Sequence, residues 1–226
     1  MSATAVPCPA WLDRFVAEAP RMPVPPMMRP VATARTAAVL ILFGEGPHGP
    51  DILLTERAAT LTNHAGQPAF PGGRIDPDDD GPVGAALREA YEEAGVEPSG
   101  VQVLVTLPEL YLARSNHRVT PVAAWWREPS EIAPGHPGEV ATVARVPIAD
   151  LVDPANRLTV RYPGGLRMGP AFRVSGMLVW GFTAALLTQV LRAGGWERPW
   201  DADRVEDLPR EVLDLAARDR RGAARR

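Results

Sequence analysis

Apolar residues divide the chain into short runs of strand character and two longer helical patterns. The runs Thr36–Phe43 and Asp51–Glu56 are rich in β-forming residues and are separated by a segment containing Gly and Pro, which predicts a β-hairpin. Strands are also predicted at Val101–Leu107, Arg118–Trp126, Glu139–Val146, Arg157–Tyr162 and Leu166–Val174. Because strands outnumber helices and the two do not alternate regularly, the pattern predicts an α+β layered fold rather than a doubly wound one.

Two segments repeat their apolar residues with helical spacing. In Pro82–Ala94 these residues follow the i, i+3, i+4, i+7 pattern of a narrow core-facing stripe. Pro82 suits the first helical turn and Gly95 suits the position just past the end. Gly176–Arg192 is the second predicted helix. Shorter helices are predicted at Trp11–Ala19, Ile148–Leu151 and Leu208–Ala217.

The length of the chain predicts one domain with an extension at each end. A chain of 226 residues is long enough for one buried core and short for two. Its 25 prolines are about twice the usual share, and many lie in the first 30 residues. We therefore expect a Pro-rich N-terminal arm over residues 1–35, laid over a domain of residues 36–195. Residues 196–226 are predicted to form a charged C-terminal tail.

Charge and cysteine content narrow the class of protein. A formal net charge of -3 excludes a strongly basic nucleic-acid binder, and the basic run Arg218–Arg226 is typical of a solvated tail. The single cysteine, Cys8, permits no intramolecular disulfide and fits a reducing compartment. The longest apolar stretch, Met177–Leu191, is too short to span a bilayer. We expect a cytoplasmic protein that binds neither nucleic acid nor membrane; the sequence leaves a homodimer open.

Three glutamates crowd the helix predicted at Pro82–Ala94. Glu89, Glu92 and Glu93 lie within one turn, on the side away from the apolar stripe. Like charges at this spacing cost about 0.2–0.5 kcal/mol per pair, and the helix dipole adds to that cost near the C-terminus. Hard divalent cations such as Mg²⁺ bind clustered carboxylates, which would explain the arrangement. The alternative is an ordinary acidic surface on which Arg88 pairs with Glu92.

A double glycine precedes this helix across a short acidic loop. Gly72 and Gly73 allow close backbone approach and leave a carbonyl to face a metal. The loop Arg74–Asp80 adds negative charge at the start of the helix. Most of its aspartates are also typical of a solvated turn with an N-capping Asp.

The segment from Gly73 to Val96 resembles the Nudix box. The box requires Gly, five residues, Glu, seven residues and then Arg-Glu-apolar-any-Glu-Glu-any-Gly-apolar, and Arg88-Glu89-Ala90-Tyr91-Glu92-Glu93-Ala94-Gly95-Val96 match its second half at every fixed position. The first half departs twice: Asp79 stands where Glu is usual, and eight residues separate it from Arg88. The resemblance implies a Nudix α/β/α sandwich, with a mixed sheet between helices, and pyrophosphohydrolase activity.

The resemblance also implies a role for each matching residue. Glu89 and Glu93 would be the main ligands of Mg²⁺ or Mn²⁺, and Glu92 a further ligand or water-orienting group. The carbonyl of Gly73 would add a ligand, and Arg88 would hold the glutamates in place. Because related enzymes often supply a glutamate opposite the box, Glu139 joins Glu92 as a candidate base; a plain residue at the start of a strand is its alternative.

Residues upstream of the box resemble the coenzyme A pyrophosphatase subgroup of Nudix enzymes. The matching residues are Leu53-Leu54-Thr55-Glu56-Arg57-Ala58, His64-Ala65-Gly66-Gln67 and Phe70-Pro71-Gly72-Gly73. One position departs, because Thr62 stands where the subgroup pattern has an arginine. The substrate implied is coenzyme A or a thioester, cleaved to 3′,5′-ADP and (acyl-)4′-phosphopantetheine.

A substrate with several phosphates calls for basic side chains outside the glutamate cluster. Arg57 and Arg74 flank the glycine turn, and guanidinium groups suit bidentate contact with phosphate. His64 is a third candidate for substrate contact; all three also fit an ordinary surface or loop role. Two further functions stay open: hydrolysis of another Nudix substrate, such as NADH, ADP-ribose or a nucleoside triphosphate, and a non-catalytic Nudix-fold ligand-binding module.

Overall fold

In the computed structural model, which describes residues 7–61, 65–136, 138–162 and 168–215, a mixed β-sheet lies between helices. Eight strands of these residues form the larger sheet: β1 (Arg35–Gly46), β2 (Gly49–Arg57), β3 (Pro68–Ala69), β4 (Gly72–Arg74), β5 (Val101–Thr106), β6 (Leu110–Leu112), β7 (His117–Trp126) and β8 (Val140–Pro147). The central strand β1 pairs in parallel with β7 and antiparallel with β2 and β4. The mixed sheet predicted from the sequence is thus confirmed.

Strand β1 carries apolar side chains on both of its faces, and helices cover each face. Leu40 and Leu42 pack with α2 (Gly81–Ala94) on one face. Ile41 and Phe43 pack on the other face, in a cluster with the remaining helices. Those helices are α1 (Asp13–Glu18), α3 (Ile148–Val152) and α4 (Gly181–Gly194). Helices on both sides of one mixed sheet give the α/β/α sandwich.

The predicted hairpin and the predicted box helix are both confirmed. β1 and β2 pair from Phe43 opposite Ile52 to Gly46 opposite Gly49. α2 ends at Gly95, whose φ of 72° is the left-handed conformation expected of a helix-terminating glycine.

The helix predicted at Gly176–Arg192 begins five residues too early. Ser175 and Gly176 both have positive φ and form a turn, after which β11 (Met177–Val179) pairs back onto β10 (Met168–Val174). The helix starts only at Gly181. The apolar run Met177–Val179 fits either element, and pairing with β10 decided the outcome.

A smaller sheet forms beside the main one. Its order is β11-β10-β9-β12, where β9 is Arg157–Arg161 and β12 is Val205–Asp207. Leu208 packs against Leu158 and Val160 of β9 in a separate small core. Residues 196–215, expected in the charged tail, therefore supply a strand and core side chains.

Residues 7–21 contribute to the main core. Leu12 and Phe15 are fully buried, and α1 packs against α4. The Trp11 ring contacts Phe43 and Trp196 edge-on or tilted, at centroid distances of 6.0 and 5.7 Å. Among the described residues, no helix has the length and apolarity needed to cross a bilayer.

Candidate active site

Small side chains bring the box helix close to the sheet. Ala86, Ala90 and Ala94, on the face of α2 that meets the sheet, are fully buried, as predicted from the apolar stripe. Their size lets the helix lie near β1 and the paired strand β4. One flank of α2 therefore faces the double glycine, and the three glutamates do not share one environment: Glu93 and Glu89 are largely buried, whereas Glu92 is half exposed.

Glu93 is the most enclosed carboxylate of the site. Its Oε2 accepts a hydrogen bond from the Gly72 N–H at 3.1 Å, and its Oε1 lies 3.4 Å from Arg57 Nη1. Burial raises the pKa of Glu93 from 4.5 to about 7, although the Gly72 N–H and the Arg57 guanidinium act to lower it. Glu89 and Glu139 raise the pKa further. The cluster thus holds more negative charge than its own cations balance.

Glu89 lies directly against Gly73. A Cβ at Gly73 would collide with the Glu89 carboxylate, so a larger residue there would require that side chain to move. Burial raises the pKa of Glu89, an effect partly offset by the hydrogen bond that Arg88 Nη1 donates at 3.0 Å. The predicted proximity of the double glycine and the glutamates is present in the fold.

Arg88 connects the acidic loop with two glutamates of the helix. Its Nε and Nη2 donate to the two carboxylate oxygens of Asp79 at 2.9 and 3.0 Å, and its Nη1 donates to Glu89 and to Glu92 Oε2 at 3.0 and 3.1 Å. Nη2 also donates to the Arg74 carbonyl. The hydrogen bond with Asp79 raises the pKa of Arg88 and holds that of Asp79 below its usual range. Arg88 therefore stays charged.

The importance of Asp79 was underestimated from the sequence. Most aspartates of the acidic loop were expected to be solvated, but the Asp79 side chain is only 6% exposed. It also accepts a hydrogen bond from the Asp76 N–H at 2.8 Å. Its place in the box, at the position usually held by glutamate, was the signal that distinguished it from its neighbours. Asp80 occupies the N-cap position of α2 without a side-chain capping bond.

A loop between β7 and β8 is fastened to the end of α2 and leads to Glu139. The Gly135 N–H donates to the Glu93 carbonyl at 3.1 Å, and Ser130 Oγ donates to the Gly95 carbonyl at 2.9 Å. The Glu139 carbonyl then accepts from the Ala58 N–H at 2.8 Å. A Cβ at Gly135 would collide with the Glu92 carbonyl. Nothing close to Gly135 in the sequence indicates this contact, because its partner lies more than 40 residues away.

The remaining predicted residues lie around this centre. Arg57, at the end of β2, reaches Glu93. Arg74 is exposed and contributes its backbone carbonyl to Arg88. Glu139 is exposed in the turn before β8. His64 and Thr62 lie outside the described residues.

The NUDIX domain family matches residues 33–163, more than half of the chain. The chain belongs to the Nudix family. The uncharacterized Nudix hydrolase NudL of Pectobacterium atrosepticum is 38% identical over 196 residues, covering 84% of this chain and 96% of that protein. The probable nudix hydrolase C6G9.05 of Schizosaccharomyces pombe is 32% identical, covering 77% of this chain and 60% of that protein. The crystal structure of the Nudix hydrolase RenU from M. smegmatis is similar with a TM-score of 0.44 and 29% identity, covering 53% of this chain and 74% of that one.

Family membership gives the site its general chemistry. The protein is a Nudix hydrolase, and Nudix hydrolases generally use divalent metal ions and act on small nucleotide substrates. The glutamates, the double glycine and Arg88 of this Nudix domain lie together at one flank of α2. The coenzyme A subgroup is a finer distinction, which the uncharacterized NudL relatives leave open.

Proposed function

We propose that this Nudix hydrolase cleaves the pyrophosphate bond of coenzyme A or its thioesters, giving 3′,5′-ADP and (acyl-)4′-phosphopantetheine. The observation that carries the proposal is the contact between the two motifs. Arg57 of the upstream motif lies 3.4 Å from Glu93 of the box, and the same carboxylate accepts the Gly72 N–H. Two residues of the upstream resemblance, Arg57 and Gly72, thus contact a glutamate of the box, which supports a role for them in substrate binding.

The donor set fits a divalent cation shared with the substrate. Burial raises the pKa of both Glu89 and Glu93, so added positive charge would stabilise their ionised forms. Within the described residues, no three acidic, histidine or cysteine side chains stand together as a group able to hold an ion. Mg²⁺ keeps water in its shell and takes ligands from substrate phosphates, so we propose that Glu89 and Glu93 complete a cation site only together with the bound diphosphate. Glu92 and the Gly73 carbonyl are the further proposed ligands.

Each residue has a proposed task in the reaction. A bound divalent ion would supply positive charge to the diphosphate and make the attacking water more acidic. Arg88 orients Glu89 and Glu92, because it donates to both from one nitrogen. Arg57 and Arg74 are the proposed phosphate contacts, and His64 the third substrate contact. Either Glu92 or Glu139 takes the proton from water.

A substrate panel tests the proposal. Purified protein with Mg²⁺ or Mn²⁺ would be given coenzyme A, acetyl-coenzyme A, NADH, ADP-ribose and a nucleoside triphosphate at equal concentrations. We expect the highest kcat/KM for coenzyme A or its thioester, with 3′,5′-ADP as a product. Glu93→Gln, prepared in parallel, controls for contaminating hydrolases, and we expect it to lose at least about 100-fold in rate. Equal or faster hydrolysis of another compound would contradict the coenzyme A assignment.

Two alternatives have distinct outcomes in the same panel. A different Nudix substrate is favoured by Thr62, which stands where the coenzyme A subgroup pattern has an arginine; another panel member would then be cleaved fastest. A non-catalytic Nudix-fold module would cleave none of them. All three box glutamates and Arg88 are present in this chain, which argues against that module.

The base is identified by pH–rate profiles. Glu92→Gln and Glu139→Gln would each be compared with wild type on the preferred substrate. Loss of the base removes the acidic limb of the kcat profile, whereas loss of a ligand or structural residue lowers the rate without removing that limb. If both variants keep the limb, neither glutamate is the base.

A further inference from the structure

The loop that follows Arg57 is held at both of its ends. We use the name 58–67 loop for residues 58–61 and 65–67, the parts of this segment that the structure describes; they include the motif residue Gly66. The Arg57 N–H donates to the Gln67 carbonyl at 3.1 Å, and the Gly66 N–H donates to the Arg57 carbonyl at 3.0 Å. The Ala58 N–H is bonded to Glu139 on the side of β8. The backbone position of this loop is therefore coupled to that of Arg57.

The opposite side of the loop is contacted by the C-terminal part of the chain. Gly66 has a φ of +63°, and the space that a side chain at Gly66 would need is occupied by a methyl group of Leu215. Next to the loop, Thr183 Oγ1 of α4 donates a buried hydrogen bond to the Pro68 carbonyl at 2.9 Å. Leu215 thus contacts the loop itself, and Thr183 fixes the start of β3, which follows the loop.

The segment that carries Leu215 is anchored independently of the active site. Leu208 is buried on the smaller sheet, and its N–H donates to the Arg161 carbonyl at 3.3 Å. Val212 and Leu213 pack on the same small core. Leu215 therefore projects from an anchored segment onto the loop.

We infer that residues 208–215 brace the 58–67 loop and thereby set the affinity of the enzyme for its diphosphate substrate. The inference rests on the proposed function, because it takes Arg57 as a phosphate contact. A loop that is ordered before the ligand arrives loses less conformational entropy on binding, so bracing increases affinity. The chemical step depends instead on the glutamates of α2, whereas Leu208, Val212 and Leu213 pack on the smaller sheet.

Leu215→Ala in the full-length protein tests the brace. We expect KM for the preferred diphosphate to rise about tenfold, while kcat stays within about twofold. Amide hydrogen exchange in peptides covering 58–67 should become faster without any substrate present. The exchange measurement needs no substrate, so it tests the brace even if the substrate panel selects a compound other than coenzyme A. KM is then measured for that compound.

Leu213→Ala is the matched control. It removes the same atoms from a leucine two positions earlier in the same segment. The Leu213 side chain packs on the smaller sheet. We expect it to lower the melting temperature at least as much as Leu215→Ala while leaving KM and loop exchange near wild type. Unchanged KM and unchanged loop exchange in Leu215→Ala would overturn the brace. Equal effects of the two variants on KM would also overturn it, since general loosening of the C-terminal segment would then suffice.

Discussion

At the scale of single residues, the site depends on carboxylates that are buried in the fold, although burying a charged group is unfavourable. The spacing of Glu89, Glu92 and Glu93 predicted a common surface, and the structure instead grades them from buried Glu93 to half-exposed Glu92. The difference arises because α2 packs against β4 and β1 along one flank. Helical spacing alone does not reveal this tertiary packing, and so does not show which glutamate is buried.

The burial of Glu93 gives the metal-free protein a defined pH dependence. The pKa of Glu93 is raised to about 7 in the folded state, so folding favours its neutral form. The resulting stability is present below the unfolded-state pKa of 4.5 and is lost as pH rises through about 7. In the presence of a chelator, we expect Glu93→Gln to be more stable than wild type at pH 8 by up to about 3 kcal/mol, with the gain disappearing towards pH 4.5.

Urea unfolding of both proteins between pH 4.5 and pH 8 measures this difference. Titration of other groups cancels when the two proteins are compared at each pH. Added Mg²⁺ or Mn²⁺ should reduce the advantage of Glu93→Gln at pH 8, because only the wild type gains a cation for its carboxylate. A difference between the proteins that does not vary with pH would show that Glu93 keeps an ordinary pKa.

Gly73→Ala tests the close contact with Glu89. The added Cβ displaces the Glu89 carboxylate, so we expect kcat to fall about 100-fold. Gly169→Ala is the control, since its Cβ would lie no closer than 3.4 Å to the nearest atom, Tyr162 Oη. Steady-state kinetics on the preferred substrate measure both variants. A kcat equal to that of wild type in Gly73→Ala would mean that the reaction does not depend on the position of the Glu89 carboxylate.

At the scale of elements, the sequence predicts well where structure is local. The stripe of α2, its terminating Gly95 and the β1–β2 hairpin all follow from residues within a few positions of each other. The predicted start of α4 was wrong because the apolar run at Met177–Val179 suits a strand or a helix equally. The loop bound to the end of α2 was not predicted from the sequence, since Gly135 acts through its contacts with Glu92 and Glu93, which are distant along the chain.

Gly135→Ala tests whether that loop sets the position of Glu139. The new Cβ would collide with the Glu92 carbonyl and push the loop away from the helix. We expect kcat to fall about tenfold or more, with a smaller change in KM. In Gly138→Ala, in the same loop, the added Cβ meets no atom within 4 Å from the described residues beyond its chain neighbours, so both parameters should be near wild type. Equal kinetics for the two variants would remove the loop from the proposed mechanism.

At the scale of the whole molecule, residues 7–21 and 196–215 supply side chains to the hydrophobic cores. Both were expected to be an arm and a tail, because their proline and charge content differs from that of a core. Yet Phe15 stacks on Trp196 and meets Phe43 edge-on. Contacts between residues so distant in sequence cannot be read from composition, whereas the central fold was predictable because the box and its flanking pattern are local.

Phe15→Ala tests the contribution of the N-terminal segment to stability. Phe15 is fully buried, so we expect a loss of about 3–5 kcal/mol in the free energy of unfolding. Arg21→Ala, at an exposed position of the same segment, should change it by less than about 0.5 kcal/mol. Denaturant titration gives both values. A change below about 1 kcal/mol in Phe15→Ala would show that residues 7–21 are not part of the cooperative core.

The packing of α1 against α4 also bears on how the protein is made. Residues 13–18 are synthesised long before their partner helix, which ends at residue 194. Translation proceeds at about 5–20 residues per second, so roughly 10–35 s pass between the synthesis of the N-terminal aromatic residues and that of their partner helix. During this interval the nascent chain presents Trp11 and Phe15 to its surroundings, which makes them natural points of contact for a chaperone.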